Sequence, residues 1–272
     1  MRIGVVAPST PIDRDVAAQV TALAAEQGAE VHFHPQCFIA HKHFAGEDSV
    51  RADAFVEIAN DPAFDALWFA RGGYGSCRIA EDVLARLEPA ARKKAYLGYS
   101  DAGFMLAGLY AAGFDDIAHG PMPQDIRRDD GEAAVRRALS WLVRRSPLTL
   151  EPSVRDATLT AAFNITVLSQ LLGTPLQPDL SGHVLMLEEV SEYTYSTDRT
   201  LFHITSNADV RKVAGIRIGR CSLVPKNDPD FGHSEEEVVE HWCTRANIPF
   251  LGLADIGHDA ANKVVPFGRL RA

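Results

Sequence analysis

The first half of this chain is constrained most by an alternation. Short apolar runs at 2–7, 31–34, 65–70 and 95–98 are separated by amphipathic stretches at 14–27, 50–59, 77–87 and 102–112. Such spacing predicts buried parallel strands joined by covering helices, because a parallel crossover needs a connection of helix length. Gly28 and Gly113 stand where two of these helices should end, as glycine adopts the left-handed conformation of a helix cap without penalty. One more amphipathic helix, basic on its outer face, is expected at 133–144.

At 146–152 the sequence Ser-Pro-Leu-Thr-Leu-Glu-Pro interrupts the pattern with two prolines. Proline continues neither a helix nor a central strand, so this stretch predicts a linker between residues 1–147 and 148–272. Beyond it, helices are expected near 164–172, 198–206 and 234–246, and strands at 183–190, 213–218, 250–254 and 263–267. The expected fold class is α/β, with an N-terminal Rossmann-like parallel sheet domain and a smaller, mixed, β-rich C-terminal domain. With 272 residues and 46% hydrophobic content the chain can fill both cores.

Charge and composition exclude several functions. A formal net charge of −9 repels phosphate backbones, so no nucleic-acid partner is expected. No apolar run approaches the roughly 18–20 residues needed to span a bilayer, and the run after Met1-Arg2 is too short for a signal-peptide core. Membrane association is therefore not expected. Cys37, Cys77, Cys221 and Cys243 are scattered without metal-ligand spacing, which predicts reduced thiols and a cytoplasmic setting. His32, His34, His41 and His43 lack carboxylates in register and read as strand or loop residues rather than a metal site.

The segment from Tyr96 to Gly103 carries the sharpest chemical signal. An apolar strand ends, Gly98 permits a turn, and Ser100 stands where a helix begins. A hydroxyl there is lifted toward solvent with helix N-terminal amides beside it, the geometry of an activated nucleophile with its oxyanion site. An ordinary helix cap is the plainer reading of the same serine. The pattern misses the α/β-hydrolase elbow, since the glycine after the serine comes one position late, at Gly103. A second loop, Arg71-Gly72-Gly73-Tyr74-Gly75, follows the strand at 65–70, where open α/β sheets bind ligands and glycines let backbone amides approach closely. Glu188 and Glu189 end a strongly apolar strand, and alternation turns one of them inward; a salt bridge to Arg199 is the structural alternative. His258 lies in a glycine-containing loop, Asp255-Ile256-Gly257-His258-Asp259, which suits a base facing a cleft.

Taken in order, these segments resemble the LD-carboxypeptidase family of serine peptidases, which includes the microcin-immunity peptidases. The resemblance runs through Val5-Val6-Ala7-Pro8-Ser9, the Arg71–Gly75 loop, Gly98-Tyr99-Ser100-Asp101 and His119-Gly120-Pro121-Met122. It continues through Leu172-Gly173-Thr174-Pro175, Leu187-Glu188-Glu189-Val190 with Glu192, Tyr195, Asp198 and Arg199, then Gly257-His258 and Val265-Pro266-Phe267-Gly268. It implies Ser100 as nucleophile, His258 as general base and Glu188 as the group orienting the imidazole. It also implies an oxyanion hole from the amides of Asp101 and Gly73, with Arg71, Gly72 and Tyr74 against the substrate. The implied enzyme is a metal-free, cofactor-free cytoplasmic homodimer that removes terminal D-alanine from a murein tetrapeptide, a small peptide partner, in cell-wall recycling. A peptidase acting on peptidyl-nucleotides, an esterase or amidase, and a non-catalytic nucleotide-binding domain are the competing readings. The chain departs from the family by reading Ala162-Phe163-Asn164-Ile165 in place of Gly-Gly-Asn-Leu, which predicts a narrowed or reshaped pocket.

Overall fold

A computed structural model describes residues 1–270. The first sheet contains β1 (Arg2–Val6), β2 (Glu30–Phe33), β3 (Ala66–Phe69), β4 (Ala95–Gly98), β5 (Ile117–His119) and β10 (Val265–Pro266), in the order β10-β5-β4-β3-β1-β2. All neighbours run parallel except β10, which pairs antiparallel with β5. Strands β3 and β4 are buried throughout, as expected where helices cover both faces of a parallel sheet.

Helices α1 (Arg14–Glu26) and α5 (Gly131–Arg144) cover one face. Val16, Val20, Leu23, Val135 and Leu139 pack there with Ile3, Val5 and Trp68. Helices α2 (Asp48–Asn60), α3 (Ser76–Ala85) and α4 (Gly103–Ala111) cover the other. Gly28 and Gly113 follow α1 and α4 at φ of 76° and 79°, as their positions predicted.

The second sheet is β6-β7-β8-β9, built from β6 (Leu159–Asn164), β7 (His183–Val190), β8 (Gly215–Ser222) and β9 (Phe250–Leu253). Its strands are all parallel. They are connected through α6 (Ile165–Leu171), α7 (Thr194–Ser206) and α8 (Glu235–Ala246). The core is continuous between the sheets: Phe104, Met105 and Leu109 of α4 join Phe163, Leu168, Leu185 and Leu187 in one cluster. Helix α4 is buried on nearly every side, with Gly103 through Leu109 all buried. Such a helix must lie between two layers, and its N-terminus therefore opens where the two sheets meet.

Strands β5 and β6 were not expected from periodicity. The first is three residues long and the second, Leu-Thr-Ala-Ala-Phe-Asn, lacks polar alternation because both its faces are covered. The tail also divides: β9 joins the second sheet, while β10 returns to the first. Gly268 then exchanges backbone hydrogen bonds of 2.8 and 3.0 Å with Thr160, tying β6 to the end of the first sheet. The proline-rich stretch at 146–152 is fastened as well, with Val264 bonding Thr149 and Glu151 through its backbone at 3.0 Å each.

Candidate active site

At the end of β4, Tyr99 is fully extended (φ −157°, ψ −172°), and the chain then reverses sharply. Ser100 takes up a φ of 61° and begins a single turn of 3₁₀-helix that runs into α4. Holding a residue with a Cβ in this left-handed region costs on the order of 1–3 kcal/mol, so the surroundings must impose it. They include the loop after β3: a Cβ on Gly72 would lie 2.9 Å from both Cβ and Oγ of Ser100. Glycine there allows the loop to lie directly against the hydroxyl.

That loop is latched in place. Thr10 Oγ1 donates to the Gly72 carbonyl at 2.9 Å. The buried Asp101 carboxylate accepts from the Ser9 hydroxyl and, at 2.9 Å, from the Ser76 amide, while the Ser76 hydroxyl returns a bond to the Asp101 carbonyl. The amides of Asp101 and Gly73 donate to no acceptor among the described residues.

His258 reaches Ser100 from the second half of the chain. Its Nε2 lies 3.0 Å from Ser100 Oγ, and its Nδ1 is hydrogen-bonded to Glu188 Oε2. Glu188 is fully buried and His258 is 9% exposed. A carboxylate only accepts, so Nδ1 carries the imidazole proton and Nε2 is left to accept from the serine. Burial presses the His258 pKa down, but the charge of Glu188 and its hydrogen bond outweigh this and hold it above the ordinary value.

The floor of the site is polar and paired. The Tyr99 ring packs against His258 with centroids 4.9 Å apart, and its hydroxyl donates to Asp125 Oδ1 at 2.7 Å. Arg128 donates to the same oxygen at 2.7 Å and to the Tyr99 oxygen at 3.2 Å. Burial first, and then the charge of Asp125, lift the Tyr99 phenol well above its ordinary pKa. His119, on β5, lies 5.4 Å from Tyr99 and is pushed by burial to a pKa of about 4. Its Nε2 meets Asn262 Oδ1 at 3.2 Å, and the same oxygen accepts from the Gly257 amide at 3.2 Å.

Ser100, Glu188 and His258 are thus brought together, with Gly72 and the Asp101 amide beside the hydroxyl. Gly73 faces Thr10 at a φ of 108°. Arg71 donates to the Pro11 carbonyl at 3.2 Å, and the exposed Tyr74 rests on His43 and Phe44. Among the described residues, no hydrogen bond or ring contact joins Arg71, Gly73 or Tyr74 to the three central side chains. Alternation does not single out one carboxylate at β7, because this strand lies between β6 and β8 with both faces covered and Glu188 and Glu189 are both buried. The Glu189 carboxylate accepts from Asn164 Nδ2, the Thr166 amide and the Thr166 hydroxyl, and thereby anchors the start of α6. Arg199 instead lies over the Tyr195 ring.

Ala162 and Phe163 are side chains of a strand covered on two faces, 2% and 1% exposed, and a Cβ on Gly103, at the start of α4, would lie 3.6 Å from Phe163 Cδ1. Asn262, Arg220 and the Asp125–Arg128 pair were not singled out by sequence. Among the described residues, no group of three or more His, Cys, Asp or Glu side chains is arranged to hold a metal, and no helix is long and apolar enough to cross a membrane.

Fold and site together define a two-sheet α/β protein in which a serine, a histidine and a carboxylate converge from separate elements. The chain belongs to the LD-carboxypeptidase family, and so to the peptide-bond hydrolases: the family's N-terminal domain matches residues 3–120 and its C-terminal domain residues 160–271. A probable murein peptide carboxypeptidase of Bacillus subtilis is 29% identical over 283 residues, covering 98% of this chain and 86% of that protein. The crystal structure of muramoyltetrapeptide carboxypeptidase from Oxalobacter formigenes has the same fold, with a TM-score of 0.83 at 23% identity over 98% of this chain and 93% of that one. The microcin C7 self-immunity protein MccF in complex with glutamyl sulfamoyl guanosine shares it too, at 0.79 and 18% identity over 98% and 91% of the two chains.

Proposed function

We propose that this protein is a serine carboxypeptidase that cleaves an L,D peptide bond and releases terminal D-alanine from murein tetrapeptide. The observation that carries the reading is the unbroken chain from Ser100 Oγ through His258 to the buried Glu188. In this mechanism Ser100 Oγ attacks the scissile carbonyl while His258 Nε2 takes its proton. Glu188 holds Nδ1–H and stabilises the imidazolium. The amides of Asp101 and Gly73 donate to the oxyanion, a contribution of several kcal/mol where water is excluded. Collapse of the tetrahedral intermediate expels the D-alanine amine, which takes the proton from His258. Water, deprotonated by the same imidazole, then hydrolyses the acyl-enzyme and restores the serine.

Gly72 keeps the loop against the nucleophile, and Arg71 and Tyr74 on that loop face the peptide, with Arg71 supplying the cation a terminal carboxylate requires. The name of the Bacillus subtilis relative supports a murein peptide as substrate. The same constellation would hydrolyse an acylated nucleotide, the reading favoured by the likeness to MccF. We further assign the protein to the cytosol, in keeping with its four free cysteines, and to a homodimer, which light scattering checks.

The test is mass spectrometry of L-Ala–D-Glu–meso-diaminopimelate–D-Ala incubated with wild type and Ser100→Ala, with a peptidyl-nucleotide run in parallel. Wild type releases one D-alanine; Ser100→Ala folds but loses roughly three or more orders of magnitude in kcat. Near-normal turnover by the variant would eliminate the serine mechanism. Cleavage of the nucleotide conjugate alone would transfer the assignment to the immunity-type reaction.

A further inference from the structure

We infer that Arg220, on β8, is a positioning residue for His258, a role that rests on the triad proposed above. Its guanidinium grips the histidine loop on both sides of the imidazole. Nη1 donates to Asp255 Oδ1 at 2.6 Å, Nη2 donates to Asp259 Oδ1 at 2.9 Å, and Nε donates to Asp259 Oδ2. The two carboxylates stand three residues before His258 and one after it. The backbone adds a bond of 2.9 Å from the Arg220 amide to the Ile256 carbonyl. A Cβ on Gly257 would lie 3.0 Å from Arg220 Cβ, so the loop rests flat on the arginine stem.

The same place in β8 also supports the carboxylate. Strand pairing aligns Leu187 with Ile218 and Glu189 with Cys221, leaving Glu188 opposite Gly219 and Arg220 at the register irregularity. A Cβ on Gly219 would lie 2.6 Å from the Ile256 carbonyl and 3.2 Å from Glu188 Cβ. The stem of Glu188 and the histidine loop thus share one footing, and the separation between Glu188 and His258 is set across it. Arg137 and Asn262 hold the far side of the loop, through the Ala260 and Asn262 carbonyls and the Gly257 amide.

Energetics favour orientation over bulk stability as the role of this clamp. The side chains of Arg220, Asp255 and Asp259 are 37%, 36% and 36% exposed. Ion pairs with that much access to water add little to global stability. The forked guanidinium geometry, in contrast, fixes direction as well as distance, which a lysine cannot reproduce.

The charged groups facing His258 make the test specific. They are Glu188 from β7, Asp125 and Arg128 from the turn after β5, and Asp255, Asp259 and Arg220 at its own loop; the neutral, titratable His119 faces the imidazole from β5. Arg220→Lys keeps the charge and removes the fork, so a change in the His258 titration reports geometry. We expect kcat on the tetrapeptide to fall about tenfold to a hundredfold with KM changed less than about twofold. The NMR titration midpoint of His258, assigned with His258→Gln, moves down toward the ordinary imidazole value as its hold on Glu188 loosens. Unchanged kcat, or a midpoint that stays or rises, overturns the inference. If Arg220→Lys does not fold, Asp259→Asn releases one side of the clamp, and an unchanged kcat there overturns it equally. The NMR midpoint is read without substrate, so failure of this inference stays distinct from failure of the carboxypeptidase assignment, which Ser100→Ala decides.

Discussion

His119 makes the protein acid-sensitive in a way that can be calculated. Buried beneath Tyr99, it is held at a pKa of about 4 against an ordinary value of 6.5. The folded state therefore keeps it neutral at pH values where the unfolded chain binds a proton. The stabilisation is complete above pH 6.5 and is lost as pH falls toward 4, because the unfolded state gains protons over that window. The linked loss is about 2 kcal/mol between pH 7 and pH 5, approaching about 3 kcal/mol below pH 4. His119→Gln retains a donor for Asn262 Oδ1 but cannot titrate. Urea denaturation of wild type and variant at both pH values isolates the effect, since His183, His258 and the carboxylates titrate in both proteins. The variant starts less stable at pH 7, but its stability falls about 2 kcal/mol less on going to pH 5. Parallel pH dependence in the two proteins would refute the argument that His119 is buried uncharged.

Three further predictions concern the site. Glu188→Gln lowers kcat by roughly three to four orders of magnitude, because a carboxamide neither fixes the imidazole tautomer nor stabilises its cation. Glu189→Gln instead costs about 1–3 kcal/mol in denaturation experiments with kcat changed less than about tenfold, since that carboxylate anchors α6; the opposite ranking would exchange the two roles. Gly72→Ala would bring a methyl group to 2.9 Å from both Cβ and Oγ of Ser100, so loop or serine must shift and kcat should fall sharply; unchanged turnover would show that the loop does not lie on Ser100. In wild type, kcat/KM rises with pH along an acid limb above the ordinary imidazole value, because His258 must lose its proton to act as base and Glu188 resists that loss. An acid limb below about pH 6.5 would contradict the pairing of His258 with Glu188.

Much of this protein was determined locally and was legible in its sequence. The apolar runs of β1, β3 and β4 announce a parallel sheet because a strand covered on both faces has no polar side to display. Gly28 and Gly113 mark helix ends because only a residue without a Cβ takes the left-handed cap freely. Gly98-Tyr99-Ser100 at a strand-to-helix junction offered Ser100 as a helix cap or a candidate nucleophile from the same local physics, and only the resemblance carried by the ordered motifs joined it to Glu188 and His258. Tertiary structure decided the rest. Strand β5 is too short for periodicity, and β6 is buried on both faces, so neither announced itself. Alternation could not choose between Glu188 and Glu189, because both faces of β7 are covered and both carboxylates lie inside; what distinguishes them is the groups each one meets. The return of β10 to the first sheet and the grip of Arg220 on Asp255 and Asp259 join residues far apart in the chain. No local pattern encodes such contacts, since they arise only when two sheets pack about the buried α4 and bring their loops to its first turn.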